Sequence, residues 1–456
     1  GNVQNAMLVE LTEHDECCGF GGTFSVKVPD VSGAMLRRKL DQIVRCPADT
    51  VVMGDLACML QINGGLSRLG STKRARHIAD VLADGLAVPK LRAKPMKVRS
   101  QHYLAATRAA VRNAQLQAAV AVSATNSDSK RLETMYAFGW LHGEQMRQQA
   151  AKAKRRALRN LPELLDRAEA TMQANGFHVL WAEDAPAACR LVLDIARERG
   201  VKRVVKGKSM LSEEVELNQG LAGAGLEVFE ADLGEYIVQI AHEPPSHIVG
   251  PALHMSKDQI RDLFVRELSM PFTDSAEEMT QFVRQRLRQA FLQAEMGISG
   301  GNFIIAETGT LCLATNEGNG RMATSLPPIH VALVGIEKVV ETFDDYATLA
   351  QILARSSTGQ TVTVYNHLIQ GPRRSGEEDG PDEVFVILVD NGRSSIYGTD
   401  YAEVLACLRC GACLNTCPVY RTTGGHAYGS VYSGPIGAVV TPLLAGLENA
   451  SPLPFA

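Results

Sequence analysis

Four of the chain's ten cysteines, Cys407, Cys410, Cys413 and Cys417, fall within eleven positions of the stretch CLRCGACLNTCP. Two-residue gaps let a tightly turning backbone aim three thiolates at one [4Fe-4S] cluster, and Gly411 supplies the positive φ that such wrapping needs. Backbone N–H groups turned inward can then donate to the sulfurs and tune the reduction potential. Structural zinc and plain buried thiols are the competing readings, but a zinc knuckle pair normally leaves a dozen or more residues between its halves. At this spacing the fourth cysteine serves a second cluster. No cysteine follows Cys417, so both clusters are expected to be incomplete here. These 456 residues are then expected to be part of something longer and to hold iron poorly alone.

Near the other end, HDECCGFGGTFSVK carries the adjacent Cys17 and Cys18, and GDLACML adds Cys58. Adjacent thiols suit neighbouring irons of a larger cluster better than one tetrahedral ion, and Gly19, Gly21 and Gly22 allow close backbone approach. A redox-inert glycine turn is the alternative. Cys46, Cys189 and Cys312 stand singly in apolar surroundings and read as small core residues.

Two central stretches could build a ligand pocket. In VVKGKSM, Lys206 and Lys208 follow a predicted strand and precede a helix, where open α/β sheets bind anions; a surface lysine pair is the other reading. In AETGTLCLATNEGNGR, Glu307, Thr308, Gly309, Thr310, Asn316, Glu317, Asn319 and Arg321 bring polarity to strand-like sequence, as a pocket or as a tight hairpin. His242, His247 and His254 are spaced five and seven apart with Pro244 and Pro245 between them, so they share no helical face and argue against a metal site. His426 either donates a hydrogen bond to a cluster or is structural.

The elements that must position these groups follow from periodicity. Residues 1–86 read as a small α/β unit with a helix over Val31–Val44, a strand TVVMGD and a helix from about Arg74 to Leu82. The proline-bearing basic stretch at 87–100 reads as a linker, and 101–173 as helical, with the basic residues at Lys152–Arg159 forming a solvated face or, alternatively, a surface for an anionic partner. From Phe177 the chain alternates FHVLWA, helix, VKRVVKG, helix, LEVFEA, which implies a parallel sheet with helices on its faces. Helices are expected over Lys257–Leu268 and Ala276–Glu295, and further strands at NFIIAETGTLCLAT, HVALVGIEKVV, TVTVYNHLI and EVFVILVD. With 45% hydrophobic residues, 21% charged and a net charge of −4, the chain is globular and lacks the basic excess that nucleic acid requires. No apolar run is long enough to span a bilayer, so a cytoplasmic protein is expected.

The stretches VVKGKSMLSEEVELNQGL, VFEADLGEYIVQIAHEPPSHIVGPALH, AETGTLCLATNEGNGRM, LPPIHVALVGIEKVV and CLRCGACLNTCPVYRTTGGHAYGSVYSGPIGAVVTPLL together resemble the iron-sulfur B/F-type subunit of the L-lactate oxidation complex. The resemblance covers about Met96–Ala456. Residues 1–86 resemble the C-terminal end of its CCG-type A/E partner, whose motif is shared with heterodisulfide-reductase-like proteins. There an upstream cysteine, missing here, completes the site.

The resemblance implies a mostly parallel α/β sheet of the isomerase/CoA-transferase type at 174–395. It adds a partial CCG unit before that sheet and a truncated ferredoxin-like [4Fe-4S] segment at 396–456. It implies that Cys407, Cys410 and Cys413 hold one [4Fe-4S] cluster and Cys417 a second, with a CCG-type cluster at Cys17, Cys18 and Cys58. The implied role is electron transfer in a complex oxidising L-lactate to pyruvate, with other subunits as partners, a small 2-hydroxy acid as ligand and any membrane attachment made through the partners. A thiol/disulfide redox enzyme and a non-redox ligand-binding module are the alternatives. No dinucleotide fingerprint is present.

Overall fold

A computed structural model describes residues 28–53, 56–78 and 98–451, with the separate positions 9, 11, 17–19, 81, 96 and 453. The chain divides into two compact units between Leu91 and Arg92. Most of the expected linker at 87–100 lies outside the described residues.

In the first unit, helix α1 (Pro29–Arg45) is followed by strand β1 (Thr50–Met53), helix α2 (Leu56–Arg68) and strand β2 (Arg74–His77). Leu36, Leu40 and Ile43 recur at helical spacing on α1 and pack on Met59, Ile62 and Leu66 of α2. The expected helix over Arg74–Leu82 is corrected at its start: Arg74–His77 pair in parallel with Thr50–Met53, and Ile78 and Val81 are helical. Asn63 decides the local geometry. Its Oδ1 accepts from the Ala75 N–H at 2.8 Å and its Nδ2 donates to the Ala75 carbonyl at 2.9 Å, holding residues in a strand that their own propensities would not select.

The second unit opens with four helices, α3 (Tyr103–Val111), α4 (Ala114–Met135), α5 (Trp140–Arg159) and α6 (Leu161–Ala174). The chain then alternates β3 (His178–Ala182), α7 (Ala185–Glu198), β4 (Arg203–Lys206), α8 (Met210–Glu214), α9 (Leu217–Gly223), β5 (Glu227–Glu230), α10 (Leu233–Ala241), α11 (Lys257–Leu268) and α12 (Ala276–Gln293). After them come β6 (Met296–Gly300), β7 (Phe303–Ile305), β8 (Thr310–Thr315), α13 (Asn319–Ser325), β9 (Ile329–Gly335), β10 (Val339–Val340), α14 (Phe343–Thr358), β11 (Tyr365–Ile369) and β12 (Glu383–Val389). Strands β3-β12-β9-β6-β4-β5 form one six-stranded sheet, parallel throughout. Along β12, Val384, Val386 and Leu388 enter a core with α6, while Phe385, Ile387 and Val389 enter another with α7. That alternation buries both faces, as helix-covered parallel sheets require.

The expected strand NFIIAETGTLCLAT is a hairpin, β7 antiparallel to β8, in a second sheet ordered β10-β7-β8-β11. The central strand β6, MGISG, carried no strand signal. Gly297 there lets α13 lie directly on the sheet, because a Cβ would meet the Ala323 carbonyl oxygen at 1.7 Å.

The last segment holds the helices α15 (Arg393–Tyr397), α16 (Ala412–Thr416), α17 (Pro418–Thr423), α18 (Gly434–Ala445) and α19 (Leu447–Ala450). Leu414, Tyr420 and Tyr428 pack with Tyr103 and Val120 of the opening helices. The ferredoxin-like segment therefore sits on the helical segment as well as on the α/β sheet. Among the described residues no helix is long and apolar enough to cross a membrane.

Candidate functional site

Cys407 follows a short 3-10 turn over Ala402–Ala406, and the next residues curl tightly, with Arg409 at φ 62° and Gly411 at φ 80°. The curl turns the Arg409 N–H toward Cys407 Sγ at 3.5 Å, and the Tyr420 N–H points at Cys417 Sγ, also at 3.5 Å. Burial pushes the Cys410 thiol up to about 11, with Cys407 and Cys413 adding to the shift as nearby charges. Among the described residues no three of these thiols lie within 4.8 Å of one another. One small ion would need them that close, whereas a cubane holds its thiolates on separate corners.

Two groups around the loop carry donors with no acceptor in the protein. Arg409 is half-buried, its guanidinium 4.9 Å over the Tyr432 ring, and its Nε and Nη1 are buried with no hydrogen-bond partner. His247 is buried with Nδ1 accepting from the N–H groups of Val249 and Gly250 at 2.9 and 3.1 Å. Its proton is thereby placed on Nε2, which is unpartnered. A Cβ on Gly411 would lie 3.2 Å from His247 Cε1, so the ring packs on the middle of the cysteine run. An uncompensated buried cation costs several kcal/mol, and an anionic iron-sulfur cluster on these thiolates is the compensating group the surroundings fit.

Behind the loop, Arg393 is buried and bidentate to Glu214 at 2.9 Å on each arm, with Nε 2.7 Å from Glu337. Asn391 donates to Glu214 at 2.7 Å, and the Tyr432 hydroxyl also donates to it. Burial alone would raise the Glu337 carboxyl, but Arg393, Lys338 and Arg409 hold it at about 2. Lys154 of α5 donates to the Glu337 carbonyl at 2.6 Å, and burial drives its ammonium down to about 7, helped by Lys338.

A cavity of about 390 Å³ lies outside the carboxyl ends of β4, β6 and β9, where open α/β sheets bind ligands. Its lining includes Lys208, Asn316, Glu317 and Asn319, together with Lys338 and, from the cysteine run itself, Leu408 and Arg409. Of the residues expected to make a pocket, Lys208, Asn316, Glu317 and Asn319 line this cavity and the others do not. Lys206 ends β4 fully buried, 2.9 Å from Glu230 and 3.3 Å from Glu213. Burial alone would lower its ammonium, but Glu230, Glu213 and Glu235 together outweigh it and hold it above the ordinary value. Glu307, Thr308 and Gly309 form the β7–β8 turn, with Gly309 at φ 61° against Thr171. Thr310 is buried within hydrogen-bond distance of Thr308 and Gln370, and Arg321 lies exposed on α13. Strand pairing separates the two halves of the polar stretch: residues 307–310 close the hairpin and 316–319 reach the sheet end.

The loop at 242–254 seats the cysteine segment, a role its sequence did not announce. Tyr420 donates its hydroxyl to the Ser246 carbonyl at 2.9 Å, His426 Nε2 donates to the Pro244 carbonyl at 2.7 Å, and Lys208 donates to the Val249 carbonyl. His242 caps α10 in the left-handed region at φ 56° and is exposed. In the first unit, Cys18 is buried with its Sγ 2.7 Å from Cys58 Sγ, and Cys17 Sγ accepts from the Gly19 N–H at 3.4 Å. Cys312 is buried and Cys189 half-buried.

A thiolate loop with turned-in N–H groups, joined to a parallel sheet with a cavity at its carboxyl end, defines an iron-sulfur protein built on an α/β fold. Comparison with known proteins agrees: residues 165–389 match the model of the LUD domain, 1–63 the cysteine-rich domain and 403–451 the 4Fe-4S dicluster domain. Lactate utilization protein B of Bacillus licheniformis is 43% identical over 79% of this chain and 76% of its own length. The Escherichia coli K12 protein named uncharacterized electron transport protein YkgF is 46% identical over 69% of this chain and 66% of its own. The chain belongs to the lactate utilization protein B family. A solved structure of a DUF162 family protein from Deinococcus radiodurans is 16% identical, with 50% of this chain and 98% of that one aligned at a TM-score of 0.28.

Proposed function

We propose that this chain is the iron-sulfur electron-transfer component of a cytoplasmic, multi-subunit assembly that oxidises L-lactate to pyruvate. In this reading Cys407, Cys410 and Cys413 bind one [4Fe-4S] cluster, Cys417 binds a second, and Cys17, Cys18 and Cys58 belong to a CCG-type cluster. The observation that carries the proposal is the shared wall: Leu408 and Arg409 of the cysteine run also bound the cavity at the sheet end. A ligand held there lies beside the cluster loop. Domain limits of 1–86, 101–173, 174–395 and 396–456 follow from the same reading.

When bound, a [4Fe-4S] cluster accepts and passes on single electrons at a potential set by charge, hydrogen bonds and solvent exposure. Lactate oxidation releases two electrons and two protons, so further centres or a flavin in partner subunits are required. The residues of this chain supply the surroundings. Lys338 and Arg409 line the cavity and lie within electrostatic reach of Cys407, which favours a carboxylate ligand and an anionic cluster alike. Lys208 and Asn316 add further donors to the lining. Leu313, Leu333 and Leu353 add apolar lining beside these polar groups, which strengthens the charge interactions next to it.

Electron paramagnetic resonance of the assembled complex after anaerobic reconstitution tests the proposal. Lactate-dependent appearance of a reduced-cluster signal is expected, and its absence in a complex that contains iron overturns it. A thiol/disulfide redox role has one observation in its favour, the Cys18–Cys58 approach at 2.7 Å. It predicts a cluster signal that responds to added disulfide and not to lactate. A chain that binds no iron in its full-length form would leave only the non-redox ligand-binding module.

A further inference from the structure

We propose that Glu243, His254 and His426 form a binding site for a divalent transition metal of the imidazole-preferring kind, zinc, nickel or cobalt, at the seam between the 242–254 loop and the cysteine segment. One ring nitrogen of each histidine and one carboxylate oxygen lie within 4.8 Å of one another. The two rings have their centroids 4.5 Å apart at 61°. Imidazole nitrogen with a carboxylate is a donor set that such ions select.

Tautomers provide the second observation. The Ser246 hydroxyl spends its only proton on the Pro251 carbonyl at 2.8 Å, so toward His254 Nδ1 at 2.9 Å it can only accept. His254 Nδ1 therefore carries a hydrogen. His426 Nε2 faces the Pro244 carbonyl at 2.7 Å, and a carbonyl also only accepts, so that nitrogen carries a hydrogen too. Each neutral ring is left with its lone pair on the other nitrogen, His254 Nε2 and His426 Nδ1. Ligating histidines are oriented in this way, with the second N–H committed to an outer acceptor. Moreover, His254 Nε2 lies 2.7 Å from Glu243 Oε2. With Nδ1 already holding a hydrogen, that contact requires a cation at the junction, either the second proton of a His254 imidazolium paired with Glu243 or a metal ion that replaces it. Glu243 is exposed, so its carboxylate can swing aside to admit one.

The other carboxylate cluster of the second unit differs on this point. Glu213, Glu230 and Glu235 also converge, but the Lys206 ammonium already fills their centre. At Glu243, His254 and His426 three protein ligands leave positions for water, the arrangement of an exchangeable site. Two ligands come from the loop beside the sheet and one from the cysteine segment, so the ion clamps the two together. This inference does not rest on the lactate reading.

The probe is Co²⁺, titrated into anaerobically reconstituted full-length protein so that iron occupies the cysteines. One Co²⁺ per chain is expected, with a nitrogen/oxygen ligand-field spectrum, no thiolate-to-cobalt charge-transfer band and a higher melting temperature. His426→Gln retains a donor for the Pro244 carbonyl, and loss of one ligand should weaken Co²⁺ binding by at least about tenfold, the lower end of what even outer-shell changes cost. The melting-temperature rise should vanish as well, with the cluster spectrum unchanged. If that variant also loses iron, Glu243→Gln decides, its exposed side chain being the least demanding on the fold. Unaltered Co²⁺ affinity in either variant, a thiolate band, or a stabilisation that follows only protonation of His254 overturns the proposal.

Discussion

Arg393 shows how much rests on single buried charges in this chain. It neutralises Glu214 and Glu337 at once, both of them buried. Removing one partner of a buried pair leaves the other uncompensated, so Arg393→Met is expected to lower unfolding free energy by roughly 3–5 kcal/mol, read from urea denaturation. Arg409 makes a different prediction. A reduced cluster carries one more negative charge, which a buried guanidinium beside Cys407 favours, so Arg409→Gln should move the cluster midpoint negative by on the order of tens of millivolts. Redox titration followed by electron paramagnetic resonance measures it, and a positive shift would contradict the placement of that charge.

Glu235 fixes a pH dependence. Burial first, then the neighbouring Glu230, pushes its carboxyl up to about 8. Between an unfolded value of about 4.3 and that folded value, the native state holds a proton that the unfolded chain has released. Stability from this group is full below the unfolded value and falls as pH rises toward 8. Glu235→Gln stays neutral throughout, so denaturation at pH 5 and pH 8 should differ less in the variant, by roughly 2–3 kcal/mol.

At the scale of elements, the seam between the 242–254 loop and the helices α17 and α18 depends on a glycine. A Cβ at Gly425 would come 1.8 Å from the Ser246 carbonyl oxygen, and neither backbone can yield without losing the Tyr420 and His426 hydrogen bonds. Gly425→Ala is expected to cost about 2 kcal/mol or more and to reduce iron content. The far-ultraviolet circular dichroism of the parallel sheet should persist. Retention of full iron by that variant would show that the seam does not hold the cysteine loop. Elements also divide by how openly the sequence declared them. Strands β9 and β12 are continuous apolar runs and α12 is amphipathic, so both were readable. β6 and β2 were not, because MGISG and RARH become strands only through their neighbours: Ile298 and Met296 between two flanking strands, Ala75 through Asn63.

For the whole molecule, the cysteine segment is bound on two sides, to the opening helices through Tyr103 and Val120 and to the sheet through Arg393, Tyr432 and the 242–254 loop. Cluster binding to the native state alone must therefore stabilise the second unit by linkage. Chelation of iron under anaerobic conditions is expected to lower its melting temperature by several degrees, measured by calorimetry. An unchanged transition would mean the thiolates contribute nothing to docking.

Among the candidate sites, residue type and spacing determined by themselves which cysteines could act together, because the ligand separations of the 407–417 run are local. They also determined that the centre of the chain folds as a helix-covered parallel sheet, since hydrophobic period is local too. Only the tertiary structure decided that Lys206 is consumed by Glu230 and Glu213 while Lys208 faces a cavity, that residues 307–310 and 316–319 part company, and that His426 meets His254 across 172 positions of chain. Each of these depends on which strand pairs with which, and the pairing energy is shared among residues too distant in sequence for any local pattern to record.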